Sequence, residues 1–277
     1  MGANERTRSI SADRLIKSTE RPNVLLAGGV HWKTWRSCLP SLDLMREDRS
    51  KPSSHVFARA KAYVPIDTCV LQTLGSDQLM KYVHSKVAGA LIFVGSAQFI
   101  VALTVAEALY PGYSISQNYI GDLGATCRAT CQVVQPSSII FNSSVFLLGL
   151  LAIVGAYFVR RGFNSCIFPV LIVMAGLGAI GVGLFPETAG VIHPIVSLIT
   201  FVFAGLSAIV SYRLQKAPLS YFSILLGAVT LGALALYGSD VFLGLGPRGM
   251  ERMIVYPALI WATGFAAHLI ASAMNSK

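Results

Sequence analysis

Apolar residues in the last two-thirds of the chain gather into six long runs, and short polar stretches separate them. The runs cover roughly 87–109, 138–159, 164–185, 192–212, 219–237 and 253–274. Each approaches the ~20 residues that a helix needs to cross the hydrocarbon core. Backbone polar groups in lipid must be satisfied within their own segment, so the runs are read as helices. Arg160-Arg161, Pro186-Glu187 and Arg213 end the second, third and fourth runs. Glycines at 176, 178, 181 and 183 in the third run, and 227 and 232 in the fifth, suit close helix packing. The pattern predicts an all-α, polytopic membrane protein built as a bundle of six transmembrane helices over residues 80–277.

Residues 1–79 show no such pattern. Prolines 22, 40, 52 and 65 interrupt scattered polar and charged residues, and no apolar stretch there is long enough to span a bilayer. No early basic-then-apolar block marks a secretory signal. The segment reads either as a disordered cytoplasmic tail or as sequence upstream of a natural start at Met80.

Composition sharpens this division. The 277 residues are 54% hydrophobic and only 13% charged, well below the ~25% of soluble domains. Residues 1–86 hold 14 of the 22 Lys/Arg, so the basic balance belongs mainly to the tail. No Lys/Arg run interleaved with aromatics appears, and nucleic acid is not expected as a partner. Membrane lipids are. Lys81, Lys86, Arg160, Arg161, Arg213, Lys216 and Lys277 fall on one side of the bilayer, against Arg128, Arg248 and Arg252 on the other. The positive-inside rule then places both termini in the cytoplasm, in a multi-pass protein of the cell membrane.

The remaining polar residues concentrate at the outward ends of the runs. Glu107 closes the first, and Asn118 and Asp122 lie in the loop that follows. Asn142 is one turn into the second, and Glu187 and His193 flank the connection from third to fourth. Glu251 and Arg252 sit just before the sixth. Charges at a membrane boundary are costly unless paired or hydrated. An Asp122–Arg252 ion pair is one expected solution, and helix capping or depth-fixing is the plain reading of each residue taken singly. Tyr110, Tyr113 and Tyr119 suit the interfacial aromatic belt. Cys127 and Cys131, in the same outer loop, are spaced closely enough for a disulfide, though free thiols also fit. A metal site is not expected, because His193 is the one histidine on this face and catalytic zinc usually takes three ligands. A triad of Ser114 or Ser116 with His193 and Asp122 lacks a strained nucleophile motif. No cofactor signature is present.

Several of these segments, taken in order, resemble a known family. They are Tyr110-Pro-Gly-Tyr-Ser, Asn118 to Asp122-Leu-Gly, Phe141-Asn142, Phe185-Pro186, His193-Pro194, Gly249-Met-Glu251-Arg252 and Tyr256-Pro257. The pattern is similar to the uncharacterised six-helix membrane family catalogued as domain of unknown function 998, over about residues 83–273. The resemblance implies a six-helix fold and no established activity. The family usually has Ser-Asp-Leu-Gly where this chain has Gly121-Asp122-Leu123-Gly124, so a role for that serine does not carry over. Residues 125–135 look like an insertion.

The function expected from these residues is a ligand- or lipid-headgroup-binding site at the outer face. Asp122 or His193 would serve as acid or base, and Arg252 would hold an anionic headgroup. The alternatives are a non-enzymatic structural, sensing or transport component of a membrane complex, and a membrane-embedded lipid-modifying hydrolase.

Overall fold

A computed structural model describes residues 76–272, apart from Arg128, Ala129 and Asn164. The expectation for the first 79 residues lies outside this range, except that 76–79 form the first turn of a helix. Among the described residues six helices are long and apolar enough to cross a membrane. They are α1 (Ser76–Leu109), α2 (Ser137–Gly162), α3 (Ile167–Leu184), α4 (Ile192–Val210), α5 (Leu219–Gly238) and α6 (Gly246–Ser272). Each packs against its neighbours in sequence, and α6 returns to α1 to close a ring. The closure is visible at the end of the ring that carries Arg160 and Arg213, labelled inner after the orientation expected from the sequence, where the Ser85 hydroxyl of α1 donates to the Leu269 carbonyl of α6, 3.4 Å away.

Two helices run further than their apolar cores predict. α1 begins at Ser76, three turns before the apolar run, because its polar first turns continue the helix beyond the hydrocarbon. α6 begins at Gly246 rather than near residue 253. Gly246 has a φ of +67°, a conformation glycine adopts readily, and Pro247 has its φ preset for a first helical turn. Glu251 and Arg252 therefore lie inside α6, not ahead of it.

Glycine sets the helix spacing. A Cβ on Gly178 of α3 would stand 2.6 Å from the Thr200 backbone nitrogen of α4, and one on Gly183 of α3 would stand 2.6 Å from the Asn142 carbonyl of α2. Real Cβ atoms do not approach so closely, so these crossings require the missing side chain. The core divides along the bundle axis. Phe168, Trp261, Phe265 and Leu269 fill the inner half. Phe99, Leu103, Phe141 and Val255 fill the outer half, joined by Leu123 from the first outer loop. Large apolar side chains such as Val101, Ile139, Val170, Leu198 and Ile260 point outward, as a lipid-facing surface demands.

Candidate functional site

The loop between α1 and α2 folds down over the outer end of the ring. A single 3-10 turn, Gly121–Leu123, is followed by two short antiparallel strands, β1 (Thr126–Cys127) and β2 (Cys131–Gln132). A disulfide joins Cys127 to Cys131 across this hairpin. The loop settles onto α2 because Gly124 has no side chain. A Cβ there would meet the Phe141 ring at 3.2 Å and press on the Asn142 amide. Ser138 and Asn142 both donate to the Gly124 carbonyl. Asn142 is thus a clamp on the loop.

The outer-face residues separate into two groups with different surroundings. The first is a buried lock between the loop and α6. Asp122 is 2% exposed, and its carboxylate accepts from the Asn118 amide at 3.1 Å and the Tyr119 backbone N–H at 2.9 Å. Arg252 is 6% exposed. Its guanidinium donates to the Asn118 carbonyl at 3.0 Å, the Arg248 carbonyl at 3.0 Å and the Tyr113 hydroxyl at 2.7 Å. Asn118 joins Asp122 to Arg252, giving its side-chain amide to one and its backbone carbonyl to the other. Burial pushes the Tyr113 phenol up from its usual range, with Arg252 opposing the shift and Glu107 adding to it. Tyr113 therefore stays a neutral phenol, accepting from Arg252 and donating to the Tyr119 carbonyl at 3.4 Å. Sequence reasoning placed Tyr113 in the aromatic belt and missed this role.

The second group surrounds the bare α-carbon of Gly121. Glu251 reaches up from α6 and accepts from the Ile120 N–H at 2.6 Å and the Gly121 N–H at 3.3 Å. Glu187, in the connection before α4, accepts from the Cys127 N–H at 3.1 Å through Oε2. His193, in the first turn of α4, is held by its Nδ1 2.8 Å from the Phe185 carbonyl. A carbonyl only accepts, so Nδ1 carries a proton, and in the neutral form of the ring Nε2 presents a lone pair. From the position a Cβ on Gly121 would take, Glu187 Oε1 is 3.4 Å away, His193 Nε2 3.6 Å and Glu251 Oε1 3.9 Å. Three acceptors from three separate elements thus face one glycine. Among the described residues no three His, Cys, Asp or Glu side chains are grouped as a metal ion would require.

Below this second group the bundle is hollow. A cavity of about 150 Å³ is lined by Gly121, His193 and Glu251 at its outer end and by Trp261 and Phe265 at its inner end. That volume matches an engineered protein cavity that admits benzene. On α6 its lining residues run from Glu251 to Phe265, fourteen residue steps or about 21 Å along the helix at 1.5 Å per residue. Side chains of α1, α2, α3 and α4 complete the wall, which is almost wholly apolar, and it holds no lysine or arginine. One exception to the apolar wall is Ser207. It is fully buried, and its hydroxyl has no hydrogen-bond partner among the described residues. Arg252 and Asp122 do not line this shaft, and neither do Glu107, Asn118, Asn142 and Glu187, although Glu187 approaches its mouth at Gly121. The one sequence signal for the mouth was the Gly121-Asp122-Leu123-Gly124 stretch. The shaft itself, built by residues distant in sequence, left none.

Fold and site together define a multi-pass membrane protein, a ring of six helices with a polar group capping an apolar interior. The chain belongs to the family described as "Protein of unknown function (DUF998)", which matches residues 93–268. No curated protein and no solved structure is similar to it.

Proposed function

We propose that the protein binds an amphiphile at the outer face of the cell membrane. The apolar part of the ligand enters the shaft, and its polar end meets Glu187, His193 and Glu251. The observation that carries this reading is the continuity of one cavity from the acid–histidine group down to Phe265. Ligand sites are generally apolar hollows with a few convergent polar groups, and this one has that composition. Ser207 adds to the case, because a buried hydroxyl left unpaired is costly and the shaft is the space it borders. The expected role of Arg252 in holding an anionic headgroup is set aside. Its guanidinium is committed to Asn118, Arg248 and Tyr113, away from the cavity wall.

The experiment is to purify the full chain in mild detergent and identify the lipid that remains bound by mass spectrometry. Ala204 lines the shaft on α4, and Ala204→Phe places a ring in it. Wild type is expected to retain about one lipid per chain, and Ala204→Phe to retain about fivefold less while melting no lower. Equal lipid in both proteins would contradict the reading.

A further inference from the structure

Resting on the binding reading above, we propose that the polar end of the ligand is a primary ammonium. The site would then select amine-headed amphiphiles over those headed by carboxylate or phosphate. The chemistry of the mouth carries this. Its three atoms facing Gly121 are all acceptors: Glu187 Oε1, His193 Nε2 and Glu251 Oε1, at 3.4, 3.6 and 3.9 Å from the Cβ position. Glu187 Oε1 is available because Oε2 takes the Cys127 N–H, and each carboxylate oxygen has two lone pairs. His193 Nε2 is aimed there, and in the neutral ring it carries the lone pair because Phe185 holds the proton on the other nitrogen. A primary ammonium presents three N–H donors, one for each acceptor. A hydroxyl offers one donor.

An anionic head would meet the opposite conditions. The Glu187 and Glu251 carboxyl groups face it, the wall holds no lysine or arginine, and Arg252 is buried in the loop lock. Repulsion between like charges at short range grows as the surroundings become less polar, and most of this wall is hydrocarbon. The missing side chain of Gly121 leaves the room. A methyl group there would sit among the three acceptors at ordinary contact distances, so Gly121→Ala fills the mouth without forcing the fold apart.

The same head group occurs on simple alkylamines and on the ethanolamine of phospholipids, and the test separates them. Full-length protein in detergent is offered hexylamine, hexanol, hexanoic acid, hexyl phosphate and a phosphatidylethanolamine, and binding is read by native mass spectrometry. Hexylamine is expected to bind about tenfold more tightly than the acid or the phosphate, with hexanol between. Gly121→Ala is expected to weaken amine binding about tenfold with an unchanged melting temperature. Phosphatidylethanolamine binding as tightly as hexylamine would assign the ammonium to a phospholipid, and its exclusion would assign it to a single-chain amine. Equal or tighter binding of the anionic amphiphiles overturns the ammonium proposal and leaves the binding shaft standing. Failure of all five to bind wild type overturns both.

Discussion

Replacing Arg252 with methionine is expected to lower the stability of the protein by about 3 kcal/mol or more. Two of the guanidinium's bonds cross from α6 to the outer loop, to the Asn118 carbonyl and the Tyr113 hydroxyl. Hydrogen bonds from a charged donor contribute roughly 1.5–3 kcal/mol each, and their loss leaves half-buried acceptors unpaired. Methionine keeps much of the apolar stem and so isolates the polar loss. Arg252→Lys is not expected to rescue the protein, because one ammonium cannot span the directions that a planar fork reaches. The measurement is thermal unfolding in detergent, together with protease sensitivity of residues 110–135. A methionine variant that melts like wild type and resists cleavage equally would show that the lock does not hold the loop.

The second large effect is expected at the α3–α4 crossing. Gly178→Ala would bring a methyl group to 2.6 Å from the Thr200 backbone nitrogen, and no side-chain rotation relieves a clash with backbone. Overpacking of this kind typically costs about 1–3 kcal/mol, and a branched side chain costs more. Gly178→Val should therefore fold poorly or not at all. Gly232 of α5 is the internal control, because nothing lies within 4 Å of its Cβ position. Gly232→Ala is expected to be neutral or to stabilise by up to ~1 kcal/mol through helix propensity. Equal melting of the two alanine variants would refute the claim that glycine sets this helix spacing. Because α3 and α4 both wall the shaft, Gly178→Ala should also loosen whatever the shaft holds.

The six spans were legible because bilayer thickness imposes a minimum apolar length, and that constraint acts locally along the chain. Helix ends were less so. The first turns of α1 and the segment Gly246-Pro247-Arg248 are polar, and polarity alone does not separate a loop from a helix that continues past the hydrocarbon. The positions of Glu251 and Arg252 followed from that ambiguity. They were read as outer-loop charges, whereas the helix carries them at adjacent positions with opposite duties. Glu251 caps the 3-10 turn and faces the shaft, and Arg252 locks the loop from behind.

Within the polar group, the sequence indicated shared depth but not adjacency. Asp122, Asn118, Arg252 and Tyr113 meet in one network, and Glu187, His193 and Glu251 meet around Gly121. The split depends on which way each side chain turns once the ring closes, and pairings such as Gly121 with Glu251 span 130 residues of chain. Gly121 was noticed for lacking a serine hydroxyl. Its structural meaning is the space left by an absent side chain, which only the surrounding acceptors reveal. The shaft was invisible for the same reason, because a hollow between helices has no residue of its own.

Occupation of the shaft is tested most directly by photolabelling at single-residue resolution. The probe is an alkyl amphiphile carrying a diazirine near the end of its chain, added to the protein in membranes. Labels are expected on the inward residues of α4 and α6, such as Thr200, Ala204, Ala258 and Ala262, and to fall when unlabelled ligand competes. Labels confined to the outward residues Ile195, Leu198 and Ile260, and insensitive to competitor, would mean that the chain only solvates the protein and that the shaft binds nothing.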